Sequence, residues 1–290
     1  MSRAAAPLPG GTFFVDGIAF WAPTLPGWAH ARAALRDEAA PLASPARRPT
    51  PDLLAAAERR RAPDTVALAL EVAAAAVRES GLDAAALPSV FTSAHGDLAV
   101  NDYMCTTLAS QPTTISPTKF HNSVHNAAAG YWTIATGCRE ASTALTAFDA
   151  SFGAGLLEAA SQCQADARAV LLVAFDVEAT GALASVTASA GLLACAFVLS
   201  PTRSERTVAA FDWSLATGAR EAASARSAAA RSLGGNAMAG ALPLLEAIAI
   251  AAPGADPAPL ALPLSRSLAM SLAATPFARS SGDGCAVIAA

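Results

Sequence analysis

Lysine is almost absent from this chain. Lys119 is the only one, the remaining basic residues are arginines, and 19 Lys+Arg stand against 23 Asp+Glu for a formal net charge of -4. No stretch combines clustered positive charge with interleaved aromatics, so nucleic acid is not an expected partner. Histidine is scarce as well: His30, His95, His121 and His125 are the four, and none follows His125. The five cysteines (Cys105, Cys138, Cys163, Cys195, Cys285) are widely spaced, form no C-x-x-C pair and match neither a zinc site nor a disulfide framework. They read as reduced thiols of a cytoplasmic protein. The opening MSRAAAPLPGG lacks a continuous apolar run, so a secretory signal is not expected. One uncharged run, Gly181 to Thr202, is long enough to imitate a membrane span. Its Ser, Thr and mid-run glycine fit a turn feeding a buried strand instead, and no membrane span is expected.

What the chain does hold is apolar: 53% of 290 residues, enough for one large or two small domains with a substantial core. Thr12 to Trp21 is rich in β-formers and reads as an opening strand. A Pro/Arg-rich loop, Pro41 to Pro51, leads to a helix over Pro63 to Ser80 with Asp64 as N-cap. SVFTSA (Ser89 to Ala94) reads as a short strand ending in a polar loop, HGDLAVND. Strands follow at STALTAF (Ser142 to Phe148), AVLLVAF (Ala169 to Phe175) and LLACAFVLS (Leu192 to Ser200), with SFGAGLLEAASQC as a helix between the first two. Buried apolar strands alternating with helices predict an α/β architecture with layered sheets. Beyond Pro201 the pattern restarts with a strand at TVAAFDW, a glycine-opened helix at LGGNAMAGALPLLEAIAI and a terminal strand at CAVIAA.

The most informative stretch is Ser116 to Ala159, SPTKFHNSVHNAAAGYWTIATGCREASTALTAFDASFGAGLLEA. It reads as a loop, a small-residue helix over about Asn122 to Gly137, a buried strand, and a sharp turn into another helix. Asp149 sits at that turn, where helix N–H groups and the helix dipole stabilise negative charge and where nucleophiles are often mounted. An aspartate there is also among the best helix caps, and capping is the expected role. His121 and His125, at i, i+4, would share a helix face and could ligate zinc, but the glutamate of H-E-x-x-H and a third ligand are missing, so no metal is expected. Ser151 in DASFG resembles a nucleophile elbow faintly, which leaves open a Ser151/His125 hydrolase. Cys138 and Cys163 read as small core residues rather than reactive thiols.

SPTKFHNSVHNAAAG and GCREASTALTAFDASFGAGLLEA together resemble the β-ketoacyl synthases of the thiolase-like superfamily, and most closely their short chain-length-factor branch from aryl polyene and xanthomonadin-type pathways. When Gly137, Arg139 and Ser142 are laid on the family's G-x-R-G-P-S stretch, its nucleophilic cysteine falls on Asp149. TFFVDGIAFWAP, SVFTSAHGDL and AVLLVAFDVEAT resemble the family's opening strand, the strand before the signature and its V-x-A-G-G-x-E strand. The departures are as informative. Gly235 and Asn236 stand where the family opens a helix with Gly-His, and the H-G-T-G-T region is shortened to an Ala/Arg/Ser stretch, Arg220 to Arg231.

The resemblance implies an α/β, thiolase-like layered α-β-α-β-α fold with a shortened C-terminal half, divided as residues 1–204 and 205–290. It further implies a non-catalytic chain length factor, with no cofactor, that pairs with an active Cys-His-His ketosynthase and works with an acyl carrier protein. Pocket or interface residues would be Tyr103, Met104, Phe120, His121, Ser123, His125, Asn126, Phe148 and Ser151. The STALTAF strand would cross the pseudo-twofold, and the 101–124 region would close the partner's pocket. The alternative is a stand-alone acyl thioester hydrolase or acyltransferase on a degenerate fold.

Overall fold

A computed structural model describes residues 9–218, 221–250 and 259–275. The chain runs β1 (Gly10–Ala22), β2 (Leu25–Pro26), α1 (Trp28–Leu35), α2 (Ala56–Arg61), α3 (Asp64–Ser80), β3 (Ser89–Thr92), α4 (Leu98–Ser110), α5 (Pro117–His121) and α6 (Ala127–Thr136). It continues through β4 (Ser142–Leu145), α7 (Ser151–Ala165), β5 (Val170–Asp176), β6 (Leu193–Ser200), β7 (Ala209–Thr217), α8 (Ala228–Ser232), α9 (Leu242–Ile250), β8 (Leu260–Pro263) and β9 (Leu268–Ala274). The strands form one mixed sheet in the order β4-β3-β5-β6-β1-β7-β9-β8, with β2 folded back on β1. Among the described strands only the β3–β4 and β3–β5 pairs are parallel, so the C-terminal ends of β3, β4 and β5 lie along one rim.

β1 joins the two parts of the sheet. Its first residues pair with β7 and its later ones with β6, with a bulge between Val15 and Gly17. The bulge turns Asp16 inward, where its carboxylate accepts from Ser200 Oγ (2.7 Å) and Thr207 Oγ1 (2.6 Å). A buried carboxylate needs such donors. One core holds α1, α7, α8 and α9 against the inner faces of both sheet parts, and a second packs α3 and α6 on the opposite face of β1, β3, β5 and β6. β5 and β6 are therefore covered on both sides, and every residue in them is buried. That double cover is why they read as continuous apolar runs rather than alternating ones. The layers thus run helix, sheet, helix, sheet, and the shortened C-terminal part adds no helix over the outer face of β7, β9 and β8 among the described residues.

The expected strands and the α3 helix are present, with several corrections. Asp64 does not cap α3: Pro63 holds the cap position, and the Asp64 carboxylate instead takes Arg48 Nη1 at 2.8 Å. HGDLAVND is not a loop throughout, because Asp97 accepts from the Val100 N–H and starts α4. The helix expected from Asn122 begins only at Ala127. Between α5 and α6, Ser123 Oγ donates to the Phe120 carbonyl, a local side-chain bond of the kind that competes with a helix ladder. The STALTAF strand stops at Leu145, and the helix expected from Leu233 starts at Leu242, its glycines being spent in turns. α1, β8 and β9 were not expected, since Ala/Leu-rich strands such as LAMSLAA carry no strand-like alternation. The CAVIAA strand lies outside the described residues. For Gly181 to Thr202, a turn followed by β6 is what is found, and no helix among the described residues is long and apolar enough to cross a membrane.

Candidate functional site

The rim formed by the ends of β3, β4 and β5 gathers the polar side chains, as expected where parallel strands deliver their loops. After β4 the chain makes a tight turn, Phe148–Ala150, and enters α7. Phe148 is forced to φ 53°, a left-handed conformation that costs a non-glycine residue free energy. The turn is fastened by Ser151, whose hydroxyl donates to the Phe148 carbonyl (2.7 Å) and accepts from the Ala147 N–H (2.9 Å). Asp149 is exposed and caps nothing: the residue before α7 is Ala150, with no side-chain cap. No side chain takes the expected capping role, and Ser151 braces the turn rather than capping the helix. Ser151 is itself fully buried, so its hydroxyl is neither accessible nor free to act as a nucleophile.

α7 reaches this position because its glycines allow it. A Cβ on Gly155 would fall 2.6 Å from Thr92 Cγ2 on β3, and one on Gly153 would fall 3.2 Å from the Pro263 carbonyl on β8. The helix therefore wedges between the two parts of the sheet.

A second set of residues, which the sequence alone did not single out, locks the loop after β3. Asp176, the last residue of β5, is 1% exposed and accepts from Ser93 Oγ and the Ala94 N–H, both at 2.8 Å. Ser93 Oγ in turn accepts from the Gly96 N–H (2.8 Å), Thr146 Oγ1 donates to the Ala94 carbonyl (2.8 Å), and His125 Nε2 pairs with the Ser93 carbonyl (3.2 Å). Burial pushes the Asp176 carboxyl up to about 6, against the three hydrogen bonds that favour its charge. The loop presents His95 edge-on to Phe148, with ring centroids 5.8 Å apart. Burial lowers the His95 imidazole below its ordinary value while the nearby Asp149 carboxylate opposes that shift. The available signal for Asp176 was one polar residue closing an apolar strand.

Asn236, in the turns ahead of α9, is 5% exposed. Its amide nitrogen lies 3.1–3.3 Å from the carbonyls of Asp176, Ala190 and Gly191, and its oxygen accepts from the Met238 N–H. The position is filled by a satisfied structural brace. Glu246 of α9 likewise accepts from the Arg226 and Ser227 N–H groups and the Ser227 hydroxyl, pinning the start of α8.

The remaining candidates lie on a neighbouring face. Tyr103 and Met104 are half-buried on α4, and Phe120 on α5 is 63% exposed. His121 stacks edge-on against Tyr131, whereas His125 lies in the turn before α6, so the two do not share a helix face and the zinc reading loses its geometry. No group of three or more metal-ligating side chains occurs among the described residues. His125 and Asn126 line an open groove of about 460 Å³ with Ala129, Gly130, Thr133, Ser142 and Ala144, between α6 and β4. Among the described residues β4 pairs only with β3, and no described strand pairs with its other edge. Ile134 (79%) and Val124 (52%), each next in sequence to a lining residue, are exposed. Cys138 and Cys163 are buried core residues, and burial pushes the Cys163 thiol up to about 12, far from a reactive thiolate.

A search of curated proteins finds no match. Among solved structures, a ketosynthase in complex with its chain length factor from Xenorhabdus doucetiae is similar at a TM-score of 0.65 and 21% identity, over 92% of this chain and 99% of that one. A type II polyketide acyl carrier protein complex with its ketosynthase aligns at a TM-score of 0.73 and 10% identity, over 93% and 100%. The ishigamide ketosynthase/chain length factor aligns at 0.57 and 18%, over 71% and 68%. Residues 28–252 match the family model of the β-ketoacyl synthase N-terminal domain, and this chain belongs to the β-ketoacyl synthase family.

Proposed function

We propose that this chain is a non-catalytic chain length factor: it pairs with an active Cys-His-His ketosynthase and shapes the tunnel that receives a growing chain from an acyl carrier protein. Aryl polyene or related polyketide biosynthesis is the setting that best fits its signature. The observation that carries this reading is the occupancy of the rim. Condensation needs a thiolate to hold the acyl chain and donors for the enolate left when malonyl thioester loses CO₂. On this chain Asp149 stands at the turn, Asn236 is committed to four backbone partners, and no histidine follows His125. A mixed anhydride on Asp149 would hydrolyse readily, and its charge opposes an incoming carboxylate. Residues 1–204 and 205–290 are the two halves of this subunit, the second shortened.

The free edge of β4, the groove beside it and the exposed apolar side chains of α5 and α6 are the surface for the synthase. We assign the closing of the partner's tunnel by steric exclusion to Phe120, because it is the most exposed of the three bulky candidates in the 101–124 region. The stand-alone hydrolase reading has less support, because Ser151 is buried and its hydroxyl engaged.

The test is co-expression with a Cys-His-His ketosynthase, followed by mass measurement and assay of elongation. A stable heterodimer that elongates is expected, with no elongation by this chain alone and none by its Asp149→Cys variant alone. A chain that remains monomeric beside every such synthase, or an Asp149→Cys variant that condenses malonyl units unaided, would overturn the reading.

A further inference from the structure

Phe120 protrudes from a helix of only five residues, yet that helix is tied down on both sides. From α4, the Tyr103 hydroxyl accepts the Ser116 N–H at 3.1 Å, and the Tyr103 ring receives Lys119 Nζ at 5.8 Å from its centroid. From α6, Tyr131 holds the His121 ring edge-on at 5.9 Å. Ser123 Oγ then closes on the Phe120 carbonyl itself at 2.8 Å. Lys119 is the only lysine of the chain, and its ammonium is placed over an aromatic face. An exposed pair of this kind adds little to global stability, but each contact removes a direction in which α5 can move.

We infer that Tyr103 is a positioning residue: with Lys119 it clamps α5 so that Phe120 enters the partner's acyl tunnel at one fixed depth. The inference rests on the chain-length-factor reading above and deepens it. A side chain ordered before assembly loses little conformational freedom on insertion, so a clamped Phe120 gives a sharp stop where a mobile one gives a graded stop. Two functions separate on this account. Phe120 sets which product length dominates, and Tyr103 sets how narrowly.

The experiment uses the heterodimer with its co-purified ketosynthase, malonyl-loaded acyl carrier protein as extender, and mass spectrometry of the released acyl chains. The readout is the ratio of product lengths. Phe120→Ala shifts the dominant product to longer chains. Tyr103→Phe keeps the ring but deletes the hydroxyl acceptor; the ratio of the dominant length to the next longer one falls about fivefold, the population change that one net hydrogen bond of about 1 kcal/mol commands. Lys119→Met broadens the distribution in the same direction. The double variant Tyr103→Phe/Phe120→Ala gives the distribution of Phe120→Ala alone, because a clamp without its gate has nothing to place. A heterodimer whose product lengths stay sharp in Tyr103→Phe and Lys119→Met overturns the clamp while leaving the chain-length-factor reading intact, and so does further broadening in the double variant. Failure of the wild-type chain to bind the synthase overturns both.

Discussion

Asp176 ends β5 with its carboxylate sealed among neutral donors, and that environment sets how the fold responds to pH. Among the described residues no basic side chain offsets its burial, so the folded protein holds the proton up to about pH 6, whereas the unfolded chain releases it near the ordinary value of 3.8. The folded pKa is the higher one. The stability that this group contributes is therefore fully present below about pH 4 and is lost as pH rises through 6. The loss is on the order of 3 kcal/mol for a shift of this size. Asp176→Asn, which can still accept from the Ala94 N–H and donate to Ser93 Oγ, is expected to flatten that dependence. Urea unfolding of both proteins between pH 4 and 7.5 checks it, and parallel curves would show that Asp176 does not titrate in this range. The residue was illegible in the sequence because one aspartate closing AVLLVAFD is indistinguishable from a strand end reaching solvent. Asp149 was legible because the strand, turn and helix around it form a local pattern. Its expected capping role was wrong because Asp149 lies inside the Phe148–Ala150 turn, and the residue before α7 is Ala150, which has no capping side chain.

At the scale of elements, two glycines that look alike in the sequence have opposite duties. A Cβ on Gly17 would sit 2.1 Å from the Ala76 carbonyl, so β1 and α3 meet backbone to backbone there. Gly17→Ala is expected to cost about 2–3 kcal/mol, since neither element can retreat without opening the core between them. Gly130, in the interior of α6, has nothing within 4 Å of its would-be Cβ. Gly130→Ala should raise the stability of the isolated chain by about 1 kcal/mol, the difference in helix propensity. Chemical denaturation of the two variants reads both signs. Since Gly130 also lines the groove beside β4, the same substitution is expected to weaken pairing with the synthase, and a glycine kept against its own helix propensity fits a surface that must be approached closely. Elements with strong, uninterrupted patterns, α3, β5 and β6, were legible because their periodicity and their burial agree. The split between α5 and α6 and the strands β8 and β9 were not, because tertiary pairing and local side-chain bonds overrode weak propensities there.

At the scale of the molecule, Ile134 tests whether the α6 face exists to be covered. It is 79% exposed and one helical turn from the groove-lining Gly130, and Val124 and Phe120, in the segment that leads into α6, are exposed too. A single exposed isoleucine is unremarkable on any protein; several beside an unpaired strand edge are what an interface leaves open in the isolated subunit. Ile134→Arg separates the two cases. The side chain makes no buried contact to lose, and a cation near the C-terminal end of α6 is compatible with the helix dipole, so the isolated chain should unfold within about 0.5 kcal/mol of the original. In the heterodimer the same change removes an apolar side chain from the contact and forces a guanidinium out of water. Pairing should weaken on the order of 100-fold, since burying one such side chain contributes about 1.5–3 kcal/mol before the cost of the charge. Titration of the synthase by light scattering or calorimetry measures it. An Ile134→Arg chain that binds as tightly as the original would move the partner surface away from α6, and the free edge of β4 would then need another occupant.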